Sequence, residues 1–176
     1  MNGVLDARLT SFAPAVDRHC RVLVLGSMPG ARSLAEQRYY AHPHNAFWPI
    51  LGAVCGFDPG LPYRRRVAAL QRSGVGLWDV LRHCRRQGSL DARIRAGSEV
   101  ANALPERIAD LPALRAIAFN GGAAARLFRR HVMPVLPQAD RERLQWLTLP
   151  STSPAHAART RAQKLAHWQA LREHLR

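Results

Sequence analysis

"RVLVLGSMPGARSL", residues 21–34, decides the reading of the fold. Arg21 to Leu25 is a short apolar run bounded by turn residues, the signature of a buried strand. It pours without a linker into Gly26 to Gly30, "GSMPG", a turn that glycine and proline make rigid and open to close approach by a ligand. Three further runs repeat the pattern: near Val75 to Trp78 in "SGVGLWDVL", Arg115 to Phe119 in "LRAIAFNGG", and Gln145 to Leu149 in "LQWLTLPSTSP". Helical periodicity lies between them. "NAFWPILGAVCG" puts Phe47, Ile50, Leu51 and Val54 on one face, and "GGAAARLFRRHV" opens a helix directly after the third strand. From Arg159 onward, Leu165, Trp168, Leu171 and Leu175 share one side, with Arg161, Lys164 and Arg172 on the other. Strands alternating with helices predict an α/β fold with a parallel sheet covered on both faces. Ligands of such sheets sit at the carboxyl ends of the strands. The turns "GSMPG", "WDV", "FNGG" and "LPSTSPAH" should therefore converge on one site.

The chain has 176 residues, with 26 Lys+Arg against 12 Asp+Glu, a formal net charge of +14. That size suits one domain, residues 1–176, since no repeat, low-complexity tract or linker divides it. The charge predicts a polyanionic partner, nucleic acid being the commonest, although an arginine-rich proteome would also produce it, because Lys164 is the single lysine. Cys20, Cys55 and Cys84 are far apart and form no C-x-x-C pair, which excludes a zinc ribbon or a four-cysteine cluster and suits reduced structural thiols. "MNGVLDARLTSFAP" lacks a signal-peptide pattern and no apolar run approaches a membrane span, so a soluble cytoplasmic protein is expected. "CRRQGSLDARIRAGSEV", the most polar stretch, reads as a surface loop or mobile insert.

The "GSMPG" turn is neither a dinucleotide fingerprint nor a Walker loop. Gly26, Ser27, Met28, Pro29 and Gly30 fit either a backbone that approaches a ligand or an ordinary strand-to-helix turn. In "YYAHPHNAFWPI", aromatics beside an amide suit a pocket that stacks a flat heterocycle and hydrogen-bonds its edge. Asn45 can orient a water or read a base, and it also stands where a helix N-cap is expected. Phe47 and Trp48 read as core by their helical spacing. His42 and His44 have no carboxylate or cysteine at useful spacing, so a structural or substrate-contacting role fits better than a metal. Pro150, Ser151, Thr152, Ser153, Pro154, Ala155 and His156 form a stiff loop of small hydroxyl residues, suited to gripping a backbone phosphate or serving as a plain turn. Asp79 is a general base or a helix cap, and Asn120 a ligand contact or a cap.

Taken in order, the strand, the G-x-x-P-G turn, "HPHNAFW", "GLWDV", "GSLD" and "LPSTSPA" resemble the uracil-DNA glycosylase superfamily. "AHPHNAFW" resembles the mismatch-specific uracil/thymine glycosylases, and the whole set more closely resembles the hypoxanthine-DNA (deoxyinosine) glycosylase branch, from about Arg21 to the C-terminus. The resemblance implies a three-layer α/β/α sandwich around a central four-stranded parallel sheet. It implies double-stranded DNA bearing a deaminated or mismatched base as the partner of a monomer, base flipping, and hydrolysis of the N-glycosidic bond in base excision repair without metal or cofactor. It aligns Tyr40 with a base-stacking aromatic and the Pro150–His156 loop with one that pinches the backbone and fills the gap of the flipped nucleotide. The mismatch-specific relatives carry a water-orienting asparagine where this chain has Met28, so Asn45 is the expected catalytic amide, with Gly26–Gly30, Tyr40, His42, Asp79 and Asn120 around the base. The main alternative is a different lesion of the same class, uracil or thymine mispaired with guanine; the others are a DNA-binding protein of the same fold that has lost catalysis, favoured by Met28, and a nucleotide-binding Rossmann protein, disfavoured by the charge.

Overall fold

The structure, a computed structural model, describes residues 7–176. Met1 to Asp6, the start of the segment read for a signal peptide, lie outside the described residues. Four parallel strands form the central sheet: β2 (Val22–Gly26), β3 (Val75–Asp79), β6 (Ala116–Asn120) and β7 (Gln145–Leu149), in the order β3-β2-β6-β7. All four match the runs read from sequence to within a residue. The sheet is buried because alternate side chains of one strand feed two cores. Leu23 and Leu25 join Ile117, Phe119 and Phe128 on one face, whereas Val22 and Val24 join Ala116, Ala118, Phe47, Ile50 and Trp168 on the other.

Helices α4 (Leu104–Ala109) and α5 (Gly122–His131) cover the first face, and α2 (Phe47–Cys55), α3 (Tyr63–Arg72) and α7 (Arg161–Trp168) the second. The smaller α1 (Ala31–Glu36), α6 (Gln138–Arg143) and α8 (Arg172–Leu175) complete the helices. This is a doubly wound α/β/α sandwich. From β2 the chain passes to β3 on one side and later to β6 on the other, so the strand order reverses between β2 and β6. A crevice opens at such a switch point.

Two elements depart from the sequence reading. A second, antiparallel sheet of β1 (Arg8–Thr10), β4 (Leu81–Arg85) and β5 (Val100–Ala101) packs beside the first core through Leu81 and Cys84. The polar stretch read as a surface loop is therefore partly sheet: it starts in β4, makes a 3-10 turn at Asp91–Arg93 and returns as β5. Lys164, assigned to the outer side of the last helix, is buried instead, its ammonium donating to Ser153 O at 3.3 Å. The helix is set down on the Pro150–His156 loop, so a residue facing away from the sheet still faces protein. Among the described residues no helix is long and apolar enough to cross a membrane.

Candidate active site

Gly26 ends β2 in register with Asp79, the last residue of β3. A Cβ on residue 26 would stand 2.6 Å from Asp79 Oδ1, so only glycine lets the carboxyl lie against β2. Beyond Gly26 the carbonyls are all taken from one side. Gly26 O accepts from Val80 N–H at 2.8 Å and Ser27 O from Leu81 N–H at 3.0 Å. Met28 O and Pro29 O accept from the Arg86 guanidinium. In a planar trans peptide the N–H points opposite to the C=O. The N–H groups of Ser27, Met28 and Gly30 are thus turned away from the Val80–Arg86 side, giving an array of amide donors along the turn. The Met28 side chain takes no part in it, being buried in the core with Leu81 and Phe119.

Arg86 fell within the expected surface loop, yet it is 6% exposed. Besides the two turn carbonyls it donates to Gly88 O at 2.9 Å and lies 3.8 Å from Asp91. Asp91 in turn accepts from the Ser27 hydroxyl at 2.7 Å, and Ser89 Oγ accepts from Ala31 N–H at 2.9 Å. Residues 86–91 are therefore clamped to the "GSMPG" turn and form one wall of the site. Sequence reasoning assigned Arg86, Ser89 and Asp91 no role. The available signal was "GSLD" inside a stretch otherwise read by its polarity.

The segment after α1 enters the site at Tyr40. Its backbone is left-handed, with φ +54°, an unfavourable conformation for a bulky residue of the kind that clusters at functional sites. The ring stacks on buried Phe47 with centroids 3.8 Å apart and planes 17° apart. The Asn45 N–H donates to His42 O at 2.9 Å, and Asn45 Oδ1 accepts from Phe47 N–H at 2.9 Å. Asn45 is not the N-cap by position, which is Ala46, but its side-chain oxygen performs that service. One end of its amide is thereby fixed by the start of α2, and no hydrogen bond within the described residues holds Nδ2.

The late loop is braced from below. Asn120, at the end of β6, donates from Nδ2 to Thr152 Oγ1 and accepts from Thr152 N–H with Oδ1, both at 2.9 Å. It does not cap α5, whose N-cap is Gly121; it holds the loop and also lines the cavity. Thr152 O accepts from Ala46 N–H, tying this loop to the Asn45 turn, and Trp168 Nε1–H donates to Pro150 O. Gly121, with φ +97°, lets Ser151 approach to 3.0 Å of where its Cβ would stand. The helix-cap reading of Asp79 is overturned, because β4 rather than a helix follows it.

The four turns enclose one cavity of about 300 Å³ at the switch point. Gly26 to Gly30, Tyr40, His42, Asn45, Asp79, Asn120 and Ser151 to Ala155 all line it, together with Ser89 and Asp91. Pro150 and His156 do not. His156 lines a neighbouring cavity of about 340 Å³ with His44, Arg159 and Arg161. A further cavity of about 470 Å³, also lined by Asn45, carries Arg38 and Arg66. The Arg66 guanidinium lies 4.6 Å from the ring centre of Trp48 and 5.8 Å from that of Tyr63. Cations thus line two cavities that adjoin the central one at Asn45.

Inside it the charge is acidic and confined. Burial pushes the Asp79 carboxyl up to about 7, the negative charge of Asp91 adding and Arg86 opposing. Asp91 is also raised, first by burial, against its bond from Ser27 and the pull of Arg86. The Tyr40 phenol is raised by burial and by Asp79, so it remains a neutral donor. Among the described residues no group of three or more His, Cys, Asp or Glu is placed to hold a metal ion.

The sequence profile of the uracil DNA glycosylase superfamily matches residues 13–176. Two curated relatives are each named hypoxanthine DNA glycosylase. The one from Methanosarcina barkeri is 38% identical over 62% of this chain and 69% of its own length. The one from Methanosarcina acetivorans is 35% identical over 64% of this chain and 71% of its own. A solution NMR structure of a candidate uracil DNA glycosylase from Methanosarcina acetivorans superposes with a TM-score of 0.77 at 28% identity, covering 96% of this chain and 99% of the other.

Proposed function

The chain belongs to the uracil DNA glycosylase superfamily, and from that premise we infer that it removes hypoxanthine from double-stranded DNA by hydrolysing the N-glycosidic bond. The observation that carries this reading is the Asn45 amide, fixed at one end by α2, on the same cavity as the outward-turned N–H groups of Ser27, Met28 and Gly30. The names of the two curated relatives favour hypoxanthine over uracil as the base.

A stacked base is out of reach of such a cavity, so the nucleotide must be extruded, at a cost of a few kcal/mol that is least for a mispaired base. The Arg38/Arg66 and Arg159/Arg161 pairs, on cavities that adjoin the central one, offer the duplex backbone cationic surface. Tyr40, braced on Phe47, gives the base an aromatic partner. The Thr152-anchored loop would fill the gap left in the stack. As the C1′–N bond breaks, charge grows on the sugar as an oxocarbenium-like cation and on the departing base. The amide array stabilises the base, and preorganised donors of this kind are worth several kcal/mol. Asn45 holds the attacking water against C1′, and the neighbouring DNA phosphates favour the sugar cation. Met28 does not contradict an active enzyme, because the turn acts through its backbone.

End-labelled duplexes carrying one hypoxanthine, uracil or mispaired thymine, treated with the protein and then alkali, test the reading. Cleavage at hypoxanthine above the others is expected. Asn45→Ala should lower that rate at least ~100-fold while DNA binding persists. Full activity in Asn45→Ala removes it from the mechanism. Salt-sensitive binding by the wild-type chain with no cleavage at any lesion favours a binding protein of this fold instead.

A further inference from the structure

Asp79 has no part in the mechanism above, yet its placement is unusual. It lies at the edge of the cavity, is 4% exposed, and rests against the bare Cα of Gly26. Its Oδ2 is buried without a hydrogen-bond partner. The Arg86 cation, whose charge acts on this carboxyl, is engaged by Met28 O, Pro29 O, Gly88 O and Asp91. An orphaned buried carboxyl oxygen costs stability, and such an exception in a native site calls for a functional account. We propose, resting on the glycosylase reading, that Asp79 is the acid that protonates a ring nitrogen of the departing purine, N3 or N7, and so selects hypoxanthine over pyrimidine bases.

The step balances. The Asp79 O–H proton passes to the purine nitrogen as the C1′–N9 bond breaks, its electron pair staying on the base. Hypoxanthine then leaves as a neutral tautomer. The water oxygen bonds to C1′, and the proton it releases restores the Asp79 carboxyl. A purine has ring nitrogens with free lone pairs besides the one that departs. Uracil departs through N1, and its remaining ring nitrogen carries a hydrogen, so its charge must settle on carbonyl oxygens. An acid at this position therefore serves purine release in particular.

The surroundings keep the proton available. Facing the carboxyl are Asp91 from the 3-10 turn, which raises its affinity for a proton, and Arg86, which lowers it. Tyr39 and Tyr40 face it from the segment after α1, and both phenols are held well above their ordinary range, so neither contributes charge near neutrality. With the carboxyl titrating at about 7, a large fraction is protonated at physiological pH.

The test is a chemical double-mutant cycle under single-turnover conditions. Wild type and Asp79→Asn are compared on duplexes carrying hypoxanthine, its 3-deaza analogue or its 7-deaza analogue, between about pH 5.5 and 8.5. The wild-type rate on hypoxanthine should fall above about pH 7, and one deaza substitution should slow it ~100-fold and abolish that fall. Asp79→Asn can donate a hydrogen bond but not transfer a proton. It should be ~100-fold slower on hypoxanthine, show no alkaline fall, and lose nothing further on the same deaza substrate. The proposal is overturned if the wild type shows no alkaline fall, or if both proteins lose equal factors on each analogue. The wild-type measurements stand even if the variant fails to fold. A wild-type chain that releases no base from any duplex, uracil included, refutes the glycosylase reading itself. Base release without coupling refutes only the role of Asp79.

Discussion

Replacing Arg86 by methionine should unfasten the site and destabilise the whole chain. The guanidinium is fully buried and holds three backbone carbonyls, those of Met28, Pro29 and Gly88, while pairing with Asp91. Methionine fills most of the stem volume, so the loss is mainly polar. Each buried carbonyl left without a donor costs about 1–3 kcal/mol, and stranding the partner of a buried ion pair about 3–5 kcal/mol. These terms overlap, because the loop relaxes and water enters. We therefore expect a net loss of about 3–5 kcal/mol. For a chain of this size each kcal/mol moves the melting temperature by about 2–4 °C, so Tm should drop by roughly 6–20 °C. Thermal melting followed by circular dichroism, at fixed pH and salt, measures it. The same substitution frees the Met28 and Pro29 peptides to rotate and should scatter the amide array. Lesion cleavage below the new Tm should accordingly fall at least ~10-fold. A Tm within about 2 °C of wild type would refute the reasoning, because the drop expected from the polar loss is several times larger.

Asn120→Ala removes both bonds to Thr152, worth about 1–3 kcal/mol together; anisotropy with a lesion duplex should show roughly tenfold weaker binding, and unchanged binding would deny the loop brace. Stability should also depend on pH through Asp79. Its folded value of about 7 lies above the unfolded 3.8, so the unfolded chain releases this proton first and stability falls as pH rises from about 4 to about 7. Denaturant unfolding of Asp79→Asn should lack that fall and show a more stable protein at pH 8, by at most roughly 4 kcal/mol. Equal pH slopes for both proteins would count against a neutral buried carboxyl.

Most of the parallel sheet was legible because β2, β3 and β6 are buried on both faces, while the edge strand β7 is partly exposed. After their leading arginines, runs such as "RVLVL" and "RAIAF" therefore carry no exposed positions to blur them, and the turns that end them mark where the chain leaves the core. The antiparallel strands were not legible. β4, "LRHCR", buries only Leu81 and Cys84 and shows no two-residue alternation, and β5 has two residues, so neither rises above a polar loop in sequence. Polarity likewise disguised Arg86, whose burial depends on three carbonyls up to 58 residues away. A buried charge looks like any surface arginine until its partners are known.

Sequence by itself determined the strand order's raw material, the convergence of four turns, and the residue types offered to the site. It could name Asn45, Asp79 and Asn120 as polar groups at strand or helix ends, because propensity and periodicity are local properties. Tertiary structure decided what each is free to do. It fixed Asn45 at one end, engaged both ends of Asn120 on Thr152, and left Asp79 Oδ2 without a partner. It also turned Met28 into the core and its peptide toward chemistry. The physical reason is that hydrogen-bond satisfaction and the electrostatics of a buried group are set by neighbours distant in sequence, and no local pattern encodes them.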